Sequence, residues 1–123
     1  MNFNYEKTKE ECLKYALEYC KFAYEVIEDS KTTNKIYSKM DKLFKNLLKH
    51  SKGKEILELM IEEKSDYIKY ISAVYVIHFD EKKALSVLKK LNEKYKKSTE
   101  GLGLMYLSID MFLKEWEKGN IRT

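Results

Sequence analysis

Apolar residues recur along this chain at helical spacing, and polar residues break the pattern at regular intervals. Leu13, Ala16, Leu17, Cys20, Ala23, Tyr24 and Ile27 form one stripe, which predicts a first helix from about Tyr5 to Asp29. The polar run Asp29 to Thr33 ends it, and Thr32 or Thr33 is placed to cap a second helix reaching about His50. Ile36, Met40, Leu43, Phe44, Leu47 and Leu48 are its inward set. Lys35, Lys39, Lys42, Lys45, Lys49 and Asp41 take the opposite face. Ser51, Lys52 and Gly53 read as a turn. Lys54 to Glu63 is a short third helix, with Ile56, Leu57, Met60 and Ile61 apolar.

Ser65 or Asp66 caps a fourth helix carrying Ile68, Ile71, Ser72 and Tyr75. It is apolar on more than one face, which places it in the middle of the molecule. Asp80 caps a fifth helix with Ala84, Leu85, Leu88 and Leu91 inward, and Asn92 to Thr99 reads as a lysine-rich connection. A sixth helix runs from Leu102 to Lys118, with Leu102, Met105, Ile109, Phe112, Leu113 and Trp116 pointing in. Gly119 sits where a helix C′ glycine belongs. Short amphipathic helices, each opened by a polar residue, are the pattern of a HEAT-type repeat. The expected fold is all-α: a single domain over residues 1–123, built as a right-handed HEAT/ARM-like stack of about six antiparallel helices, an α-α superhelix.

Composition agrees with a helical domain. The chain has no proline and four glycines, 44% hydrophobic and 36% charged residues. A β-sandwich needs more turn residues, and a disordered chain carries fewer apolar ones. No apolar run reaches the ~20 residues that span a bilayer. The segment from Met1 to Lys7 lacks the apolar core of a secretory leader, so the expected location is cytoplasmic. Cys12 and Cys20 lie eight residues apart on one helix, a rise of about 12 Å. A disulfide needs Cα atoms within about 7 Å, so both read as reduced thiols.

The net charge of +4 comes almost wholly from lysine, Arg122 being the single arginine. Nucleic-acid readers favour arginine for bidentate contacts, so this basicity reads as mainly compositional. Candidate chemistry is thin. Cys12, Cys20, His50 and His78 have no metal-ligand spacing, and His50 and His78 both fall near helix ends, which suits a cationic imidazole. The pairs Glu10–Glu11, Glu25–Glu28 and Glu62–Glu63 read as solvated faces. Gly101-x-Gly103 lacks the preceding strand of a phosphate loop. No catalytic residue, metal ligand or cofactor is expected.

Two features point to binding. Lys82, Lys83, Lys89, Lys90, Lys94, Lys96 and Lys97, with Tyr95 among them, form a set that could follow a phosphate backbone. Ten tyrosines in 123 residues exceed what a core needs, and tyrosine is favoured at protein interfaces. Tyr67, Lys69 and Tyr70 on the central fourth helix are the candidate partner-binding residues.

An ordered set of segments carries a resemblance. These are Asn34-Lys35-Ile36-Tyr37, Asp66-Tyr67-Ile68-Lys69-Tyr70-Ile71-Ser72-Ala73, Asp80 with Ala84-Leu85 and Leu88, and Asp110-Met111-Phe112-Leu113-Lys114-Glu115-Trp116 with Gly119. Over roughly residues 10 to 121 the chain resembles a small bacterial family of HEAT-like domains, numbered two-thousand-and-nineteen among the domains of unknown function. Lys69 stands where members usually show arginine, and Tyr70 and Ile71 where they often show tryptophan and alanine. The family brings no catalytic motif. Similar helical-repeat proteins occur beside bacterial polymorphic toxin genes, where they are thought to act as immunity proteins. The resemblance therefore implies a non-enzymatic protein-binding module whose partner is a toxin domain. The alternative is a nucleic-acid-associated helical repeat using the lysine face. No membrane partner is expected.

Overall fold

The computed structural model describes residues 4–25, 30–96 and 101–120, with side chains from 104 onward in the last segment. Six helices and no strand occur among them: α1 (Tyr5–Tyr24), α2 (Ser30–Leu47), α3 (Ser51–Met60), α4 (Asp66–Val76), α5 (Glu81–Tyr95) and α6 (Gly101–Glu117). The expectations for Ile27, Asp29, Lys97, Thr99 and Arg122, and for the Leu102 side chain, lie outside the described residues.

Local chemistry opens and closes the helices. The Asn4 side chain accepts from the Lys7 amide, Ser65 from Ile68 and Asp80 from Lys83. Each satisfies a backbone donor that the first turn leaves orphaned. Gly119 ends α6 at φ +75°, its amide bonded to Trp116 O and the Asn120 amide to Glu115 O, a Schellman closure. Three boundaries differ from the sequence pattern. Thr32 and Thr33 lie inside the first turn of α2, and Thr33 Oγ1 donates to Phe22 O of α1. Ser51, Lys52 and Gly53 are the first turn of α3, not a loop. Helix α5 continues to Tyr95, through the first half of the expected connection.

Each helix packs on its chain neighbour, and α1 also packs against α3, α4 and α6. Contact between α1 and α6 brings the first and last helices together. An open stack, where each repeat touches only its neighbours, lacks that contact. The core joins Cys12, Ala16, Cys20 and Tyr24 of α1 to Met40, Phe44 and Leu47, then to Ile56, Leu57 and Met60. It continues through α4 to Ala84, Leu88 and Leu91 of α5 and Met105 and Ile109 of α6. Helix α4 is buried on several faces, as expected, with Ser72 Oγ satisfied by Ile68 O at 2.6 Å. On α1 the buried line runs at i+4 steps from Cys12 to Tyr24, and Leu17 is 43% exposed. Four partner helices share α1, so its buried line drifts around the helix. Trp116 is only partly buried and donates from Nε1 to Glu81 Oε1 at 3.2 Å.

Candidate functional site

The three residues expected to bind a partner do not form one patch. Tyr70 is 8% exposed and belongs to the core. Tyr24 donates its hydroxyl hydrogen to Tyr70 Oη at 3.4 Å, and the two rings lie 6.4 Å apart. The reason is α1, which packs along the face of α4 that a one-sided helix would leave wet. Tyr67, one turn earlier on that face, is half-buried and stacks on Tyr24 at 6.2 Å and 15°. Lys69 points elsewhere: its Nζ donates to Ile61 O at 3.2 Å, neutralising a carbonyl at the C-terminal end of α3.

The tyrosines instead build a groove of about 530 Å³ between α2 and α4, with α1 and α6 contributing to its lining. Its outer wall is Tyr37, 45% exposed, whose ring meets Tyr19 at 5.4 Å. Tyr75 donates to Asp41 Oδ1 at 2.6 Å, and Lys45 holds the other carboxylate oxygen at 2.9 Å. Phe112 and His78 also line it, as does the buried Tyr70, so that one expected partner-binding residue lies at the floor of this groove, with Phe44 beneath the Tyr75 ring at 4.9 Å. His78 Nδ1 is buried without a hydrogen-bond partner, and the imidazole meets Trp116 edge-on at 5.8 Å.

Protonation follows from burial. Desolvation, then the nearby Lys45 charge, lowers the His78 pKa, which favours the neutral imidazole over the cation expected at a helix end. Burial raises Tyr19, Tyr37 and Tyr75; for Tyr75 the bond to Asp41 raises it further. These phenols are neutral donors and acceptors rather than bases. Cys12 is pushed up to about 12 by burial, then by Glu11, and Cys20 is raised by burial, then by Glu25. Buried protonated thiols are poor nucleophiles. Among the described residues no three potential metal ligands come together.

A second depression, of about 720 Å³, lies between α4 and α5. Lys69, Lys82, Lys83, Lys90 and Lys94 line it above Ile61, Val87 and Leu91. Internal acids occupy part of that charge: Lys83 faces Glu62 at 3.6 Å and Lys94 meets Asp66 at 2.7 Å. Burial alone would raise the Asp66 carboxyl, but hydrogen bonds from Lys94 and Tyr95 hold it below its usual value. Tyr95 is therefore tied to Asp66 and half-buried, not open for stacking on a base.

Sequence patterning listed the lysines of α2 as a wet face and assigned them no role. Lys31, Lys35, Lys39, Lys42 and Lys45 of α2, and Lys49 two residues beyond its end, are all exposed, and each is three or four residues from the next. Like charges at that spacing repel one another on a helix. Among the described residues only Lys45 of the six is in an ion pair. Tyr37 and Asp41 were legible as helix positions, but their pairing with Tyr19 and Tyr75 depends on α1 and α4 meeting α2. Comparison with protein-family models, curated proteins and solved structures gives no match.

Proposed function

We propose that this chain is a non-enzymatic protein-binding module of HEAT-like character, and that it acts as an immunity protein by occluding a toxin domain in the bacterial cytoplasm. The observation that carries the binding role is the tyrosine groove. Tyr37 presents a large ring at low entropic cost, backed by Tyr19, beside the Tyr75–Asp41–Lys45 hydrogen-bonded set. Such an arrangement of a rigid aromatic and directed polar groups suits an interface centre. The toxin assignment rests on the resemblance to immunity-type helical repeats. Capture needs no bond-making step, and the neutral phenols and protonated thiols fit that mechanism.

The test is growth protection. Cells expressing a candidate toxin domain from an adjoining reading frame should survive with the wild type and lose protection with Tyr37→Ala at unchanged melting temperature. Full protection by that variant would remove the groove from the interface. A second reading, association with nucleic acid, draws on the lysine-lined depression between α4 and α5. Steep loss of heparin or DNA retention with salt, sensitive to Lys82→Ala and Lys90→Ala, would favour it.

A further inference from the structure

We infer that the partner enters this fold as an amphipathic helix, laid in a trough between α2 and α6. The inference rests on the protein-binding reading and adds the form of the bound segment. The tyrosine groove does not end at Tyr37. A depression of about 340 Å³ adjoins it, shares Tyr19 with it, and is lined by Ser30, Thr33 and Asn34 of α2, Tyr24 of α1 and Ser108 of α6. On α2 the lining residues of the two, Ser30, Thr33, Asn34, Tyr37, Asp41 and Lys45, fall on one helical face. They make one wall, about 22 Å long at a rise of ~1.5 Å per residue. Ser108 and Phe112, one turn apart on α6, make the other, and Ser108 is hydrogen-bonded to Tyr24. Tyr19 and the buried Tyr24 and Tyr70 lie between the walls.

Two observations select a helix as the occupant. The first is backbone chemistry. Residues 34–45 of α2, 70–75 of α4 and 108–112 of α6 are helix interiors. Their N–H and C=O groups are spent on their own helical bonds, and Phe22 O of α1 is taken by Thr33. An extended segment pressed into such a trough would leave the backbone groups on its inner edge unpaired. A helix satisfies them internally and offers only side chains. The second is apolar surface that continues out of the trough. Leu107 and Met111, 58% and 67% exposed, each precede a lining residue of α6 by one position, and Leu104 lies one turn before Ser108. This stripe is one rim and Tyr37 is the other. Apolar rims over an aromatic floor match a helix with apolar residues at i, i+4 and i+7 and a polar back. Three exposed side chains fall well short of the roughly 800 Å² per partner of a stable dimer, which disfavours a second copy packed on α6 alone.

Selection from a randomised display library of peptides about 15 residues long, the length of the trough at ~1.5 Å per residue, tests this on the immobilised protein. Enriched sequences should carry apolar residues at i, i+4 and i+7, and an enriched peptide should gain helical circular dichroism on binding. Its affinity, read by fluorescence anisotropy, should fall about tenfold or more with Tyr37→Ala and with Met111→Glu. Leu59→Glu, an equivalent change at an exposed leucine of α3 outside the trough, should cost less than about threefold. All three side chains are exposed, so melting temperatures should stay at the wild-type value. Enriched sequences alternating with a period of two, no saturable binder, or binding indifferent to both Tyr37→Ala and Met111→Glu would overturn the inference. So would a dimer in sedimentation equilibrium that Met111→Glu dissolves, because a second copy would then cover this face. The selection uses no toxin, so its outcome is separate from growth protection, which reports on the immunity reading.

Discussion

Replacing Gly53 by alanine should destabilise the protein, although the same change in an ordinary helix interior gains about 1 kcal/mol. Gly53 lies in the first turn of α3, three residues after a short connection from α2. A Cβ there would sit 2.2 Å from Leu47 O, 2.7 Å from Leu47 Cα and 2.8 Å from Leu47 C. A close C···O contact is roughly 3.3 Å, so the two helix ends must part by about 1 Å. The opposing atoms are backbone, and Leu47 is fully buried, so no flexible side chain can give way. Overpacking of this kind costs about 1–3 kcal/mol, which outweighs the helix-propensity gain. Urea unfolding followed by circular dichroism should show a lower midpoint at unchanged slope. Gly119→Ala is the contrast: nothing lies within 4 Å, and the cost there comes from φ +75°, about 1–2 kcal/mol. A neutral or stabilising Gly53→Ala would refute the close approach of α2 and α3.

Tyr70→Ala should cost about 3–5 kcal/mol, as for other buried aromatics, and Tyr70→Phe no more than about 1.5 kcal/mol, by thermal or urea unfolding. Losses under 1 kcal/mol for Tyr70→Ala would place the ring at the surface. Trp116→Ala should cost less than that full-burial range, about 1–3 kcal/mol, because the indole is partly exposed and bonded to Glu81 at the surface. Stability should hold through neutral pH and fall above about pH 9, because the buried thiols and phenols have raised pKa values in the fold. In that range the unfolded chain loses protons first, which favours unfolding by up to about 1.4 kcal/mol per pH unit for each fully protected group. A flat urea midpoint from pH 8 to 11 would contradict the burial of these groups.

Features set by local chemistry were readable in the sequence. The caps Ser65 and Asp80 and the terminal Gly119 act through backbone groups within a turn or so of themselves. Inward sets on α2, α3 and α5 were also readable, because those helices bury one dominant stripe. Where several helices share one element, the stripe rule lost its force. Cys12 is buried and Leu17 exposed because α1 serves four neighbours. Tyr70 is buried because α1 covers the off-stripe face of α4. Gly53 looked like a turn residue because sequence gives no sign of a backbone 2.2 Å from a missing Cβ. The candidate groove escaped for a related reason. Tyr19, Tyr37 and Tyr75 come from three helices, and their spacing in the chain says nothing about their meeting.

The central claim is that the Tyr37 groove binds a protein. Isothermal titration with a toxin domain taken from whichever reading frame adjoins that of this chain tests it most directly. A stoichiometric complex is expected, weakened about thirty-fold by Tyr37→Ala, which is the ~2 kcal/mol of a central aromatic anchor. Lys82→Ala, in the separate depression between α4 and α5, should change affinity less than about fivefold. Absence of a complex, or a complex indifferent to Tyr37→Ala, would contradict the account.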